Sequence, residues 1–356
     1  MSSPSNQPQV REIQAEHGFD KLRLATWMAE HIDGFEREIS VRQFSGGQSN
    51  PTFLIESPGG SYVMRRKPPG QLLPGAHAID REVRVMQALE QTGFEVPHVH
   101  GWCEDPSVIG TPFYVMDYVA GRIFWDATMP EVSSDERWQM FDSMNEVIAR
   151  LHGIDPNRIG IGDYGRPGNY FARQIARWSS QYREDREAGR DPNMDKLIDW
   201  LSANTPEDDA AAIVHGDFRV DNLIFHPSEP RVIAVLDWEL STLGHPLGDF
   251  ANHAAMYRMP PDIVAGLKGA DLQALNIPTE EAYIEAYCRR TGRAGIPDYG
   301  FYVAFSFFRT AAIFHGIKGR ILRGTAASAQ ACERVKILPR LMEIAWGQAI
   351  AAGAKG

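Results

Sequence analysis

The amino-acid sequence predicts an α+β protein of two lobes, a small antiparallel sheet with one key helix and a larger, mainly helical lobe. Three observations predict this class. Segments rich in β-branched and aromatic residues follow one another near the N terminus and are separated by glycine-containing turns. From residue 120 onward, apolar residues recur three and four positions apart, as on the buried faces of helices. The chain has 356 residues, which at roughly 150 residues per domain is enough for two lobes.

The predicted sheet lobe covers residues 35–119 and follows an N-terminal tail and helix over residues 1–34. Its strands are expected in the segments FEREISVRQF, PTFLIES, SYVMRRK, VHGWCE and TPFYVMDYV. Between the third and fourth strands, AIDREVRVMQALEQTG has apolar residues at helical spacing, and Gly93 is placed to end that helix. The expected order of this lobe is therefore β-β-β-α-β-β.

The predicted helical lobe covers residues 120–356. Helices are expected in the segments WQMFDSMNEVIARLHGI, NYFARQIARWSSQYRE and MDKLIDWLSAN. Two short strand-like runs, AAIVHGDFRVDNLIF and VIAVLDWE, interrupt the helical pattern. After Gly244 the sequence again predicts helices, as far as Ala352.

The composition excludes several classes of protein. Lys+Arg 36 against Asp+Glu 46 leaves a formal net charge of -10, which argues against nucleic acid as a partner. Cys103, Cys288 and Cys332 are widely spaced and odd in number, so no disulfide framework is expected and a cytoplasmic location fits best. The segment FYVAFSFFRTAAIFHGI is interrupted by Arg309 and falls short of the roughly 18 uncharged residues that a membrane span needs. The composition leaves the oligomeric state open.

Two polar loops carry the chemistry that is easiest to recognise. HGDFRVDNLIF contains Asp217 and Asn222, and VIAVLDWE contains Asp237, which follows Asn222 by fifteen residues. Carboxylate and amide oxygens are the ligands that Mg²⁺ prefers, with water and phosphates supplying the rest. The alternative is a polar hairpin whose Asp and Asn side chains only satisfy turn backbone. The spacing of all three residues favours the metal site.

These loops resemble the catalytic and metal loops of the aminoglycoside phosphotransferase and choline kinase branch of the protein-kinase-like fold. The chain has HGD where protein kinases have HRD, and DWE where they have DFG. The resemblance implies an ATP-dependent transfer of phosphate to a hydroxyl group of a small molecule. It also implies Asp217 as the base or orienter of the acceptor hydroxyl, with Asn222 and Asp237 as Mg²⁺ ligands.

The same resemblance requires a loop that covers the phosphates. Between the first two strands, FSGGQSN contains Gly46, Gly47 and Ser49, whose backbone N–H groups could form an anion-binding nest. The loop has no complete GxGxxG pattern, and a plain hairpin turn is the alternative.

A kinase also needs a cation on the third strand, paired with an acid on the next helix. Strand alternation places Val63, Arg65 and Lys67 on one face. We predict that Arg65 binds phosphate and that Val63 lies beneath the adenine. Glu82 falls on the apolar stripe of the helix, where a carboxylate is costly unless it is paired. We therefore predict an Arg65–Glu82 ion pair; the alternative is an acid that reaches water.

The hinge that would bind the adenine edge is assigned from the resemblance alone. The strand FYVMDYVAG leads into it, and backbone groups near Asp117 and Val119 would make the contact. This assignment makes residues 35–119 the nucleotide-binding lobe. His98 and His100 on the preceding strand are expected to be structural, because no further ligand lies nearby. His215 is expected to brace the catalytic loop, and Asp249 to cap a helix or support that loop.

The acceptor is expected to bind the helical lobe. The segment from Phe301 contains no acidic residue but contains the basic residues Arg309, Lys318, Arg320 and Arg323. This pattern favours an acceptor with an apolar body and an anionic group, with Arg309 as anchor and Phe305 and Phe308 as lining. The alternative is a buried aromatic helix followed by a solvated basic helix.

A closer resemblance narrows the acceptor. HGDFRVDNLIFHP and VLDWELSTLGHPLGD are especially similar to the kinase-like domain that is fused to some acyl-CoA dehydrogenases. This similarity implies a hydroxyacyl-CoA or a hydroxy acid as the acceptor. Aminoglycosides, choline and homoserine remain alternatives, and so does a non-catalytic nucleotide-binding module with the same fold.

Overall fold

The computed structural model describes residues 9–45, 50–68, 78–166, 168–207, 210–324 and 329–356. The chain forms two compact units. The sheet unit comprises Met1–Phe124, Asn157–Ile161 and Asp221–Ser241, and the helical unit comprises Trp125–Pro156, Gly162–Val220 and Thr242–Gly356. The predicted lobe boundary after residue 119 lies near the first of these divisions. The segment Asp221–Ser241, expected in the helical lobe, groups with the sheet unit.

Six strands form the main sheet within the described part of the sheet unit, in the order β1-β2-β3-β4-β6-β5, with every pair antiparallel. They are β1 (Val10–Arg11), β2 (Ser40–Phe44), β3 (Thr52–Ser57), β4 (Gly60–Arg66), β5 (Val99–Cys103) and β6 (Phe113–Asp117). The helices are α1 (Lys21–His31), α2 (Ile79–Glu90) and α3 (Pro106–Ile109). The predicted β-β-β-α-β-β order is present, and β1 adds an edge strand too short to be recognised from sequence.

One face of the sheet packs against α1. The helix begins after Asp20, whose carboxylate accepts hydrogen bonds from the backbone N–H groups of Leu22 and Arg23. The shared core contains buried residues from the helix and from alternate positions of the strands, including Leu24, Trp27, Met28, Phe53, Ile55, Met64, Phe113 and Val115. Because strand side chains alternate, the intervening residues of β4 and β6 point to the opposite face. That face carries the candidate site.

A second, smaller hairpin belongs to the sheet unit. It consists of β8 (Leu223–Phe225) and β9 (Val232–Val235), paired in antiparallel register. Gly121 lies directly against it, since a Cβ atom at this position would fall 2.4 Å from both Ile224 Cγ2 and the Phe225 carbonyl oxygen. The neighbouring residue Arg122 exchanges backbone hydrogen bonds of 2.8 and 2.9 Å with Phe225. The absence of a side chain at Gly121 therefore permits this close approach of two backbones.

The helical unit is built mainly from long helices with buried faces. They are α4 (Ser134–Gly153), α5 (Tyr170–Glu184), α6 (Pro192–Ala203), α7 (Pro246–Ala254), α9 (Glu280–Thr291), α10 (Tyr299–Leu322) and α11 (Ala329–Ala351). The remaining helix, α8 (Leu272–Leu275), is a single turn with no buried residue. A short antiparallel pair joins β7 (Ala212–Val214) to β10 (Thr242–Gly244). The loop that contains Asp217 follows β7. The two strand-like runs expected from the sequence contain β7, β8 and β9, whereas β10 lies outside both runs and was not anticipated.

Two expectations for this unit are corrected by the structure. The aromatic and basic segments after Phe301 are not two helices, because α10 continues without a break through both. The region after Gly244 is not uniformly helical, since residues 258–271 contain turns and irregular backbone. In the described residues, no helix combines the length and apolar character needed to cross a bilayer.

The close packing at Gly121 can be tested by substitution. Gly121→Ala is expected to destabilise the protein by about 1–3 kcal/mol, because the new methyl group would overlap β8 backbone and Ile224. Gly153→Ala is the matched control, because it ends α4 with no atom within 4 Å of a new Cβ. The control is expected to be neutral or slightly stabilising. Equal urea-unfolding curves for the two variants would contradict the packing argument.

Candidate active site

Arg65 and Glu82 form the ion pair that was predicted from strand alternation and the helix stripe. Arg65 projects from β4 and Glu82 from α2, with 3.3 Å between Arg65 Nε and Glu82 Oε2. The Glu82 side chain is only 1% exposed and that of Arg65 is 11% exposed. The neighbouring Arg66 points to the other face, where its guanidinium lies over the rings of Phe19 and Phe53. Alternation thus separates a site arginine from a structural one.

Two further carboxylates share the Arg65 guanidinium. Its Nη2 atom lies 2.7 Å from Asp237 Oδ1 and 3.3 Å from Glu239 Oε2. Burial by itself would lower the pKa of Arg65, but Glu82 and Asp237 raise it well above its ordinary value, so the guanidinium stays charged. Three carboxylates around one guanidinium leave an excess of negative charge when all are ionised. A divalent cation would neutralise this excess.

Glu82 has an unusually high pKa. Burial is the main cause that raises its pKa from 4.5 to about 7, against the lowering effect of Arg65. The Tyr114 hydroxyl donates to Glu82 Oε2 at 2.9 Å, and Asn50 Nδ2 lies 3.3 Å from Glu82 Oε1. Asn50 Nδ2 is also 3.5 Å from Glu239 Oε2. Asn50 and Tyr114 therefore orient the acids that surround Arg65.

Asn222 and Asp237 are brought together by the β8–β9 hairpin. Leu223 pairs with Val235, and the Leu236 N–H donates to the Asn222 carbonyl at 2.8 Å. Both residues consequently lie at the same end of the hairpin. Asp237 has φ 65° and ψ 60°, a left-handed conformation that is uncommon outside glycine. Backbone strain of this kind is maintained only where the surrounding structure determines it, as at functional sites.

The donor atoms at this hairpin end are of the type that suits Mg²⁺. Asn222 offers an amide oxygen and Asp237 a carboxylate, and Mg²⁺ is commonly held by one or two such protein ligands together with water and phosphate oxygens. In the described ranges, no group of three or more His, Cys, Asp or Glu side chains is arranged to hold a metal.

In the helical unit, the loop His215–Asp217 is held by Asp249 of α7. The backbone N–H groups of His215 and Gly216 donate to the two carboxylate oxygens of Asp249, each at 2.8 Å. His215 Nδ1 accepts the Asp217 N–H at 3.1 Å. The expectations that His215 braces the loop and that Asp249 supports it are confirmed. The cap of α7 is His245, whose side chain accepts from the Leu247 N–H.

Asp249 is part of a buried polar network. His152 Nε2 lies 3.3 Å from Asp249 Oδ2, and His152 Nδ1 is 2.7 Å from the Tyr287 hydroxyl. Burial opposes ionisation of Asp249, yet the hydrogen bond and charge of His152, together with His215, hold its pKa below the ordinary value. A charged Asp249 is therefore the form that fixes the catalytic loop. His253 lies on the same helix as Asp249. Burial lowers the pKa of His253 to about 4, so this imidazole is neutral.

Asp217 itself is accessible. Its side chain is 33% exposed, and Oδ1 lies 3.8 Å from Arg219 Nε. Arg309 of α10 reaches the same loop, where its Nη2 atom donates to the Gly216 carbonyl oxygen. Phe305 and Phe308 are 2% and 0% exposed, so their rings are part of the interior of the unit. Contact between either ring and an acceptor remains a prediction.

The remaining predicted site residues lie in the sheet unit or outside the described residues. Gly46, Gly47 and Ser49 fall outside the described ranges. Val63 shares the face of Arg65.

The Asp117 carboxylate is 2.7 Å from His100 Nε2, and the Asp117 N–H donates to the His98 carbonyl at 2.9 Å. His98 contacts Glu90. Both histidines thus have the structural partners that were expected, while the adenine contacts proposed for Asp117 and Val119 remain predictions.

Sequence reasoning missed three residues around Arg65, namely Asn50, Tyr114 and Glu239. Glu239 belongs to the DWE motif and could have been considered from its position two residues after Asp237. Tyr114 is directly opposite Arg65 in the β4–β6 register, which no local pattern reveals. Asn50 follows the glycine loop, where a turn role is the simpler interpretation. Asn50 and Tyr114 were recognisable only from the folded arrangement.

The pKa of Glu82 predicts a pH-dependent stability. Because the folded-state pKa of about 7 exceeds the ordinary 4.5, the stability that this group contributes is fully present below pH 4.5 and is lost as pH rises through about 7. Between pH 5 and 8, the metal-free protein should therefore lose stability relative to Glu82→Gln, by on the order of 3 kcal/mol. Urea unfolding of both proteins across this range measures the difference.

The control for this titration is Glu56→Gln, which alters an exposed acid that pairs with Arg42 in the same unit. Its stability difference from the parent protein should stay nearly constant over the same pH range. A constant difference for Glu82→Gln as well would contradict the proposed titration.

The support of the catalytic loop by Asp249 is open to a second test. Asp249→Asn should destabilise the protein by about 2–4 kcal/mol, because the amide NH₂ of asparagine would face one of the two backbone N–H donors. Asp262→Asn, an exposed acid paired with Arg340, is the control and should change stability by less than about 1 kcal/mol. Unfolding midpoints that agree for the two variants would show that Asp249 does not support the loop.

Comparison with known proteins identifies the family of the chain. The sequence pattern of the phosphotransferase enzyme family (APH) matches residues 40–302. The chain is 44% identical over 317 residues to acyl-CoA dehydrogenase family member 10 of Mus musculus, covering 88% of this chain and 30% of that protein. It is 43% identical over 351 residues to acyl-CoA dehydrogenase family member 11 of Gallus gallus, covering 95% and 44%. The chain thus spans less than half the length of these curated relatives.

Solved structures show the same fold. A protein from Ralstonia eutropha JMP134, provisionally named an aminoglycoside phosphotransferase, has a TM-score of 0.84 and 49% identity, covering 94% of this chain and 99% of that one. The aminoglycoside phosphotransferase APH(4)-Ia, in a ternary complex with AMP-PNP and hygromycin B, has a TM-score of 0.61 at 14% identity, covering 93% and 99%. The second likeness concerns the fold alone. The protein described here therefore belongs to the phosphotransferase enzyme family and has its kinase-like fold.

Proposed function

We propose that this protein is an ATP- and magnesium-dependent kinase that transfers the γ-phosphate of ATP to a hydroxyl group of a small molecule. The observation that carries the proposal is the 2.7 Å contact between Arg65 and Asp237. The cation expected to bind phosphate is in contact with the carboxylate expected to bind metal. A plain polar hairpin, the alternative interpretation of the Asp237 loop, does not require such a contact with β4.

Each part of the proposed reaction has a residue in the chain. Arg65, oriented by Glu82, binds phosphate oxygens, and a planar guanidinium suits them well. Asn222 and Asp237 hold Mg²⁺, which when bound would neutralise charge on the phosphates. Asp217 orients the acceptor hydroxyl and accepts its proton while the oxygen bonds to the γ-phosphorus and ADP leaves. Because phosphoryl transfer relies on positioning and charge neutralisation, these groups are sufficient.

For the acceptor, we propose a hydroxyacyl-CoA or a hydroxy acid. The names of the relatives at 43–44% identity support an acyl-CoA context. The basic residues of α10, Arg309 and Lys318 among them, favour an anionic acceptor over a cationic aminoglycoside or choline.

The assignment of Asp217 can be tested with ATP and a panel of hydroxylated metabolites. The panel contains hydroxyacyl-CoA thioesters, hydroxy acids, an aminoglycoside, choline and homoserine. The parent protein should show a thermal shift with Mg-ATP and should phosphorylate one anionic acceptor. Asp217→Asn should retain the thermal shift and lose transfer by about 100-fold or more, because it removes the group that accepts the hydroxyl proton. Phosphorylated products are measured by mass spectrometry.

Two further variants test the proposed metal ligand and provide a control. Asp237→Asn should weaken the magnesium dependence of the thermal shift, and Asp199→Asn, an acid 80% exposed on α6, should behave as the parent protein. Binding of Mg-ATP without transfer to any acceptor by any variant would favour a non-catalytic module. Transfer to the aminoglycoside or to choline alone would overturn the acceptor assignment but not the kinase assignment.

A further inference from the structure

The backbone that precedes Asp217 is held by contacts from two helices of the helical unit. Asp249 of α7 accepts the N–H groups of His215 and Gly216, each at 2.8 Å. Arg309 of α10 donates to the carbonyl oxygen of Gly216. The carbonyl of Gly216 and the N–H of Asp217 belong to the same peptide group, and that N–H donates to His215 Nδ1 at 3.1 Å. The peptide adjoining Asp217 is therefore held at both ends.

The orientation of the Gly216 carbonyl depends on its contact with Arg309. Its φ of +83° lies in the left-handed region, which glycine enters freely because it has no Cβ atom. The same freedom means that steric constraints do not fix the orientation of the Gly216 carbonyl. A hydrogen bond from a charged guanidinium is among the stronger contacts that can fix it.

The charges on the two sides of the loop also agree with the polarity of the backbone. A carboxylate faces the N–H groups and a guanidinium faces the carbonyl, so both contacts are charge-assisted. Arg309 extends from a rigid part of α10, since the preceding residues Phe305 and Phe308 are almost fully buried. The hydrogen bond between Arg309 and the Gly216 carbonyl is partly buried.

We propose that Arg309 is a positioning residue that fixes the catalytic loop through the Gly216 carbonyl and so holds Asp217 in its working orientation. This inference rests on the proposed kinase function. It differs from the role of Arg309 as an anchor for the acceptor, because a positioning residue affects every reaction that uses Asp217. One such reaction is the hydrolysis of ATP, in which water replaces the acceptor.

The experiment uses the full chain and compares Arg309→Met, Arg309→Lys and the control Arg340→Met, which removes an exposed arginine paired with Asp262 on the surface. Magnesium-dependent ATP hydrolysis is measured without any acceptor, and Asp217→Asn defines the background. Arg309→Met should lower kcat by about 10-fold to 100-fold, because small displacements of catalytic groups have effects of this size. KM for ATP should change by less than about twofold, because ATP binding does not involve Arg309.

Hydrogen exchange provides a readout that does not depend on turnover. In Arg309→Met, peptides that contain Gly216 and Asp217 should exchange faster than in the parent protein, while peptides of the β8–β9 hairpin should be unchanged. Arg309→Lys keeps the charge and one donor, so it should recover part of both kcat and protection. Arg340→Met should match the parent protein in both measurements.

The outcomes separate this inference from the proposed function. Hydrolysis that depends on Asp217 but is unchanged in Arg309→Met, with unchanged exchange at Gly216, would overturn the positioning role and leave the kinase assignment intact. A parent protein that neither binds nor hydrolyses Mg-ATP would overturn the proposed function and the positioning role together. Equal losses in Arg309→Met and Arg309→Lys, with a lowered unfolding midpoint in both, would reduce Arg309 to a general structural role and would also overturn the inference.

Discussion

The site in the sheet unit depends on one buried guanidinium surrounded by three carboxylates. Arg65 contacts Glu82, Asp237 and Glu239, at distances between 2.7 and 3.3 Å. A buried carboxylate is costly without a partner, so Arg65 makes it possible for Glu82 to lie on the apolar stripe of α2. The arrangement also joins parts of the chain that are far apart, namely strand β4, helix α2 and the loop after β9. Removing the guanidinium would leave several negative charges without compensation.

The three carboxylates around Arg65 outnumber the single guanidinium. When all of these groups are ionised, a proton on Glu82 reduces the excess negative charge, and a divalent cation would neutralise it. In the absence of metal, the pKa of Glu82 is raised to about 7, mainly by burial, so this side chain can bind that proton near neutral pH. In the proposed function, a magnesium ion would compensate the carboxylates, and phosphate oxygens would share the Arg65 guanidinium with them.

The helical unit holds the backbone next to Asp217 while the carboxylate of Asp217 stays accessible. Asp217 is one-third exposed, yet the peptide groups before it are bonded to Asp249, His215 and Arg309. These contacts hold the backbone before Asp217. Such support from a second set of residues is the usual requirement for groups that must be positioned closely. The contacts of Asp249 with His152 and with the backbone N–H groups of the loop compensate the burial of its carboxylate.

The sequence alone determined the order of the elements and the residue types at Arg65, Glu82, Asp217, Asn222 and Asp237, because periodicity and short motifs are local properties of the chain. It could not reveal that Asn50, Tyr114 and Glu239 join Arg65, nor that Arg309 contacts Gly216, 93 positions away in the chain. Nor did it place Asp221–Ser241 with the sheet unit or join the two predicted helices into α10. These features depend on strand register and on which helix faces meet. Register and packing arise from contacts between distant segments, so only the tertiary structure decided them.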